Sequence, residues 1–150
     1  MAVKPIPEGF HSITPYMVVR GARELIDFLK QAFDATEGHR SEQPDGTIMH
    51  AQLKIGDSPL MLAEGGAQWK PMPCAIYLYV KDTDETYKRA VAAGGKSLMP
   101  PADQFYGDRN AGITDPSGNQ WWIATHIEDV SDEEMKTRTV AALKARQQSA

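Results

Sequence analysis

The chain has 150 residues, of which 41% are hydrophobic and 24% are charged, and its formal net charge is −4. These values are typical of a globular protein of one domain or two tightly joined modules, which can bury a core without disulfides. No basic block and no stripe of aromatic and basic residues is present, which argues against a nucleic-acid partner.

Three further features indicate the compartment. The single cysteine, Cys74, cannot form an internal disulfide, and it fits a reducing environment. Residues 1–10 lack the apolar core of a signal peptide. No apolar run approaches the roughly 20 residues that a bilayer-spanning helix needs. We therefore expect a cytoplasmic protein without a membrane partner.

The first half of the chain predicts a strand, a helix and three further strands. Apolar residues recur at helical spacing in the segment GARELIDFLKQAFDA, which predicts an amphipathic helix over 21–35. Gly56-Asp57 is a candidate two-residue hairpin turn. The predicted strands are 13–19, 36–41, 47–55 and 58–63.

The second half repeats this order. A helix follows the N-cap candidate Asp82 and closes at Gly94-Gly95, and Pro100-Pro101 is expected to end a short segment. The motif DPSG at 115–118 predicts a turn. The predicted strands are 75–80, 105–114 and 119–125, and a polar helix over 131–147 begins with a capping-box pattern, Ser131 and Glu134.

An offset of 61 residues relates the two halves. It matches Tyr16 to Tyr77 and Glu24 to Glu85. The repeated order of elements predicts module one at about 11–64, a linker at 65–72, module two at about 73–126 and a C-terminal helix at about 131–147.

This tandem of βαβββ modules resembles the vicinal-oxygen-chelate superfamily of glyoxalases, bleomycin-resistance proteins and dioxygenases. The segments ITPYMVV, IDFLKQAF, DGTIMHAQLKIGDSPLMLAE and LMPPADQFYGDRNAGITDPSGNQWWIATHIEDVS resemble its PhnB-like branch. The resemblance implies an α+β fold in which the modules form a curled mixed sheet around a cavity, with an added C-terminal helix. It also implies a homodimer, and it names a fold rather than a reaction.

The metal-using members take one ligand from the first strand and one from the last strand of each module. The resemblance maps these positions onto Thr14, Met61, Ala75 and Trp122. None of them offers a carboxylate, imidazole or thiolate, the groups that such divalent ions prefer. We therefore expect no divalent metal and no other cofactor, which argues against glyoxalase I and extradiol dioxygenase chemistry at the usual site.

Strand alternation then assigns the cavity lining. A two-residue turn at Gly56-Asp57 pairs Gln52 with Met61, and cross-strand partners share a face. Treating DPSG as a four-residue loop pairs Thr114 with Asn119, which sends Arg109, Ala111 and Ile113 to the cavity face. The predicted ligand-binding residues are Tyr16, His50, Gln52, Met61, Tyr77, Tyr79, Arg109 and Trp122.

A few polar anchors on apolar walls are typical of a small-molecule site. Arg109 is suited to hold an anionic group through a bidentate contact, and His50 is suited to acid, base or donor roles, so these two are the catalytic candidates. The alternatives are that the tyrosines belong to a core or interface, that Asp108 and Arg109 only brace one another, and that His11, His39 and His126 are structural.

Three functions stay open on this basis. The first is a protein that binds a small planar or anionic molecule without metal, or an enzyme that uses His50 and Arg109. The second is a metal-dependent lyase or dioxygenase with non-standard ligands. The third is a non-catalytic homodimeric interaction protein. The sequence leaves open whether the protein is an enzyme.

Overall fold

The computed structural model describes residues 3–149 and has the α+β architecture predicted from the sequence, including the C-terminal helix. The elements in chain order are β1 (Tyr16–Val19), α1 (Ala22–Phe33), β2 (Thr36–Glu42), β3 (Ile48–Ile55), β4 (Ser58–Glu64), β5 (Ala75–Tyr79), α2 (Thr83–Ala92), β6 (Lys96–Asp103), β7 (Asp108–Thr114), β8 (Gln120–His126) and α3 (Asp132–Gln148).

The strands form two four-stranded mixed sheets with the same topology. Sheet 1 has the order β1-β4-β3-β2 and sheet 2 the order β5-β8-β7-β6. The first strand of each module lies at an edge and runs parallel to the last, while the other neighbours are antiparallel. The structural repeat therefore confirms the tandem order of elements predicted from the sequence.

Each module starts its helix in an equivalent way. Gly21 precedes α1 in a left-handed conformation, and the Glu64 carboxylate accepts hydrogen bonds from the backbone N–H groups of Gly21 (3.0 Å) and Ala22 (2.7 Å). In module two the Thr125 hydroxyl accepts a hydrogen bond from the backbone N–H of Thr83 (3.1 Å). Ala22 and Thr83 are equivalent donors at the offset of 61 residues, and Glu64 and Thr125 are the equivalent acceptors. Each helix start is therefore hydrogen-bonded to the last strand of its own module.

The hydrophobic core lies between the sheets and their helices, and it continues from one module into the other. α1 packs against α2, and the Phe33 and Trp121 rings meet with centroids 4.9 Å apart. The Arg89 guanidinium donates to the backbone oxygen of Ala32 at 2.8 Å. The helix-covered side of each sheet therefore faces the centre of the molecule, and the opposite side faces outward.

Two predicted boundaries in module two were wrong. β6 runs through Pro100-Pro101 to Asp103. It is an edge strand with an irregular register between Met99 and Ala102, which tolerates the missing proline N–H groups. β7 begins at Asp108 because Gly107, with a φ of 98°, completes a turn just before it.

The C-terminal helix begins where its cap predicts. The Ser131 hydroxyl accepts from the backbone N–H of Glu134 at 3.2 Å. Its Arg138 guanidinium reaches both carboxylate oxygens of Glu128, at 2.8 and 2.7 Å. Along residues 3–149, no helix has both the length and the apolar character required to cross a bilayer.

Candidate functional site

The outward face of sheet 1 carries the module-one residues that strand alternation selects. Gly56-Asp57 forms the two-residue turn, and Gln52 pairs with Met61 as predicted. Tyr16 pairs with Met61 from the other side. The His50 ring stacks against Tyr16, with centroids 6.0 Å apart. This set, Tyr16, His50, Gln52 and Met61, is called the sheet-1 face below.

The outward face of sheet 2 carries the equivalent aromatic residues. Tyr77 pairs with Trp122, just as Tyr16 pairs with Met61. Tyr79 pairs with Ala124, and its ring lies 5.2 Å from that of Tyr77, centroid to centroid. Tyr77 is 43% exposed and Tyr79 63% exposed, so both rings are accessible in the single chain.

The predicted register of the last hairpin was wrong by one residue. Thr114 pairs with Gln120, not with Asn119, and Gly112 pairs with Trp122. The Asp115 carboxylate accepts from the side chains of Asn119 (2.9 Å) and Trp121 (2.8 Å), which holds a five-residue loop.

This one-residue difference in register reverses the predicted assignment of β7 residues to the two faces of sheet 2. Asp108, Asn110 and Gly112 share the outward face with Trp122, and Ala111 and Ile113 face the helix instead. Module one has a two-residue loop at the equivalent point, so the offset between β3 and β7 is 60 residues instead of 61. Asn110 therefore occupies the place that His50 has in sheet 1.

The predicted position of Arg109 on the cavity face was consequently wrong. Its guanidinium lies on the helix side, where it donates to both carboxylate oxygens of Asp84 (2.6 and 2.9 Å) and to Asp103 (2.8 Å). The hydrogen bonds from Arg109 to Asp84 and then Asp103 raise the pKa of Arg109. Arg109 therefore braces α2 and β6 on the side of sheet 2 opposite to its outward face, so it does not form a catalytic pair with His50.

Trp122 lies flat on a glycine. A Cβ placed on Gly112 would lie 2.6 Å from the nearest ring carbon of Trp122. In sheet 1 the equivalent of Gly112 is Gln52, whose side chain stands beside Met61. The indole therefore covers the sheet surface directly, which leaves its outer ring face for contact.

The structure brings together a polar cluster that the sequence did not identify as a site. The buried Asp108 carboxylate accepts from Tyr77 Oη (2.8 Å) and Tyr79 Oη (3.0 Å), and it contacts His126 Nδ1 (2.9 Å). Asn110 Nδ2 contacts Tyr106 Oη at 2.7 Å. These residues are called the Asp108 cluster below, and they are Tyr77, Tyr79, Tyr106, Asp108, Asn110 and His126. The only sequence signal for the Asp108 cluster was the run of polar residues near the start of β7, which the sequence placed at residue 105 instead of Asp108.

The surroundings shift the acidities within the Asp108 cluster. Burial raises the pKa of Asp108, but the hydrogen bonds from His126, Tyr77 and Tyr79 outweigh burial and hold the pKa below its ordinary value. Burial, together with the bond to Asp108, raises the pKa of Tyr77. The hydrogen bonds of His126 to Asp129 and then Asp108 raise the pKa of His126. The raised pKa values keep the Tyr77 and Tyr79 phenols neutral beside the Asp108 carboxylate and favour the protonated form of His126.

The chain matches the sequence model of the Glyoxalase/Bleomycin resistance protein/Dioxygenase superfamily over residues 9–123. The protein belongs to this superfamily. It is 34% identical over 136 residues to the uncharacterized protein Mb0911c of Mycobacterium bovis. The alignment covers 83% of this chain and 90% of that protein.

Solved structures share the fold of this chain. The protein PA1353 from Pseudomonas aeruginosa superimposes with a TM-score of 0.64 at 26% identity, covering 79% of this chain and 99% of that one. The PhnB protein from Bacillus cereus gives a TM-score of 0.59 at 18% identity, covering 77% and 99%, which is a likeness of fold.

The residues at the superfamily's metal positions do not fit a divalent ion. Thr14 donates its hydroxyl to the backbone oxygen of His11 at 3.2 Å, and Met61, Ala75 and Trp122 offer no oxygen or imidazole ligand from their side chains. Within the described part of the chain, no three His, Cys, Asp or Glu side chains come close enough together to hold a metal.

A groove of about 1310 Å³ runs beside the shared core of the two modules, along β5 and α2. Of the predicted ligand-binding residues, Tyr77 and Tyr79 contribute to its walls, together with helix-facing residues such as Met17, Leu78 and Trp121. The sheet-1 face and Trp122 lie on the outward faces and do not line this groove. The chemistry-bearing residues therefore lie on two separate sheet faces.

Proposed function

We propose that this protein binds a small planar molecule against its outward aromatic faces, without the divalent metal of its relatives, in a cavity that a second copy of the chain completes. The observation that carries this proposal is the exposure of aromatic rings on strands whose other side faces the hydrophobic core. Tyr16 is 54% exposed, and Tyr77 and Tyr79 are accessible on the other sheet. Clusters of exposed aromatic residues around a few polar groups are typical of ligand or interface surfaces.

The second copy follows from how the modules are joined. They pack through α1 and α2, so the sheet-1 face and the Asp108 cluster point away from each other in one chain. A twofold dimer would lay the sheet-1 face of one protomer over sheet 2 of its partner, and it would close two identical cavities. Each cavity would then combine His50 and Gln52 from one protomer with tyrosines and Trp122 from the other.

The ligand class is narrower than the sequence alone indicated. The expectation of an anionic ligand rested on Arg109, whose charge is neutralised by Asp84 and Asp103 on the helix side. We retain the planar ligand and give up Arg109 as its anchor. We also propose that the protein belongs to the PhnB-like branch and that it is located in the cytoplasm.

Ligand binding is tested by tryptophan fluorescence and calorimetry with benzyl alcohol, benzylammonium, benzoate and quinoline as probes. Binding of at least one probe should quench fluorescence in the wild type and in Trp69→Phe, which changes an exposed linker residue, but not in Trp122→Phe. If all four probes fail to bind by both methods, the proposal is wrong.

Assembly is tested by light scattering, for which we expect the mass of a dimer. A monomer would contradict the shared cavity. Elemental analysis addresses the metal: stoichiometric Zn, Fe, Mn or Ni that is lost in His50→Ala would replace the proposal with a metal-dependent lyase or dioxygenase. A dimer that buries the tyrosines and binds no probe would support a non-catalytic interaction protein.

A further inference from the structure

The hydroxyl groups of the Asp108 cluster have a fixed direction of hydrogen bonding. A carboxylate only accepts, and a phenol has a single hydrogen to donate. Tyr77 and Tyr79 both place their hydroxyl oxygen within 3.0 Å of Asp108 Oδ2, so both must donate to it. The lone pairs of Tyr79 Oη therefore remain for a ligand, while Tyr77 Oη already accepts from Asn110 Nδ2 at 3.3 Å.

A second acceptor lies beside them. Asn110 is 3% exposed, and its Nδ2 donates to Tyr106 Oη (2.7 Å) and Tyr77 Oη (3.3 Å). Its Oδ1 is buried and has no hydrogen-bond partner among the residues that the structure describes. Since a buried amide oxygen without a partner is costly, the Asp108 cluster is left with an acceptor that its own residues do not satisfy.

The charges on this face add to the same preference. Asp108 and Asp129 bracket His126, so the three groups together carry one negative charge when His126 is protonated. The positive charge of Arg109 is on the opposite side of the sheet, paired with Asp84 and Asp103. The exposed ring faces of the tyrosines are themselves attractive to cations.

From this arrangement we infer that sheet 2 recognises a positively charged nitrogen group on the ligand, an arylalkyl ammonium, which stacks on Tyr77, Tyr79 and Trp122 and donates to the phenol oxygens around Asp108. This inference rests on the proposed small-molecule site and names its ligand class. An ammonium group only donates hydrogen bonds, which matches acceptors whose hydrogens already point elsewhere. A carboxylate ligand would meet a buried negative charge and the oxygens of Tyr77 and Tyr79, whose hydrogens are already donated to Asp108.

The test compares three matched probes that share one aromatic ring: benzylammonium, benzyl alcohol and benzoate. Calorimetry on the full-length protein should give benzylammonium about tenfold tighter binding than benzyl alcohol, with benzoate weakest. Asp108→Asn should reduce the preference for the cation to about threefold or less. Asp103→Asn removes the same charge on the other side of the sheet and should keep the preference.

A second variant guards against a loss of folding in Asp108→Asn. Tyr79→Phe keeps the ring and the carboxylate but removes one acceptor, so it should weaken benzylammonium more than benzyl alcohol. Equal or tighter binding of benzyl alcohol or benzoate overturns the cationic ligand and leaves the proposed binding function standing. An unchanged preference in both Asp108→Asn and Tyr79→Phe also overturns it. Failure of these three probes overturns the inference, and the proposed function fails with it only if quinoline does not bind either.

Discussion

The contact between Trp122 and Gly112 decides the shape of the sheet-2 surface. Most large aromatic side chains on a strand stand beside the cross-strand side chain, whereas this indole lies where that side chain would be. Because glycine leaves the space open, the ring can lie flat and present one face outward. The glycine is therefore required by the position of the indole rather than by its own backbone angles.

Gly112→Ala should lower the free energy of unfolding by about 1–3 kcal/mol, because the added Cβ would meet the Trp122 ring and force it to move. Urea unfolding measures this. Gly66→Ala is the matched control, since a Cβ there meets nothing within 4 Å, and it should change stability by less than about 1 kcal/mol. In a Trp122→Ala background the cost of Gly112→Ala should largely vanish, and an undiminished cost would show that the ring is not its cause.

His126 should titrate above its ordinary pKa of about 6.5, since Asp129 and Asp108 favour its protonated form. A raised folded-state pKa contributes stability that is complete below the unfolded pKa and is lost as pH rises through the folded one. Histidine NMR titration should show the raised value, and Asp129→Asn should lower it. Asp57→Asn, which removes a carboxylate that forms no ion pair with His126, should leave it unchanged, and an equal response to both variants would contradict the assignment.

At the scale of elements, α1 and α2 each begin at a hydrogen-bond acceptor that the last strand of the same module supplies. Glu64 supplies a carboxylate to the start of α1, and Thr125 supplies a hydroxyl to the start of α2. Gly21, at the N-cap of α1, has no side chain that could cap the helix, so the distant carboxylate takes that role. This contact also fixes the helix relative to its sheet.

Glu64→Ala should lower the free energy of unfolding by about 1–3 kcal/mol, because two backbone N–H groups lose their acceptor. Glu64→Gln keeps one of the two acceptor oxygens but places an amide nitrogen against the other backbone N–H, so it should cost about 0.5–2 kcal/mol, less than Glu64→Ala. Thermal or urea unfolding provides the measurement. Glu8→Ala in the exposed N-terminal segment is the control and should change stability by less than about 0.5 kcal/mol. Equal effects of the two Glu64 variants would contradict the capping role.

The order of elements could be predicted from the sequence, because apolar spacing and turn residues are local signals. The sheet-1 face could be predicted too, since Gly56-Asp57 permits only one short hairpin. The faces of β7 could not, because DPSG gives no sign that Asp115 holds a loop of five residues through Asn119 and Trp121. Because the predicted register was wrong by one residue, Asp108 and Asn110 face outward where Arg109 was expected. The expected positive charge of the site is therefore replaced by a negative one.

At the scale of the whole molecule, the two modules share one core. Phe33 at the end of α1 is 5% exposed and touches both Phe28 and the Trp121 ring of sheet 2. The Arg89 guanidinium adds contacts to Ala32 and to Asp34, the latter at 2.9 Å. Because apolar burial is continuous across the join, we expect the chain to unfold as one cooperative unit.

Phe33→Ala should therefore lower stability by about 3–5 kcal/mol and should do so for both sheets at once. Tryptophan fluorescence in a Trp69→Phe background, which reports Trp121 and Trp122 of sheet 2, and far-ultraviolet circular dichroism should give coincident transitions before and after the substitution. Val91→Ala, at a residue that is 41% exposed, should have a small effect on both. Transitions that separate in the wild type would show that the modules are independent.

The outward-facing sheets have a genetic consequence for the proposed dimer. Each cavity would take one half from each chain, so damage to the two halves could be exchanged between subunits. A chain altered at His50 and Gln52 and a chain altered at Tyr79 and Trp122 would each form a dimer with two defective cavities. Mixed together, they would form a heterodimer with one fully intact cavity and one doubly defective cavity. Two inactive proteins would thus restore each other in trans, with half of the sites recovered in the purified heterodimer.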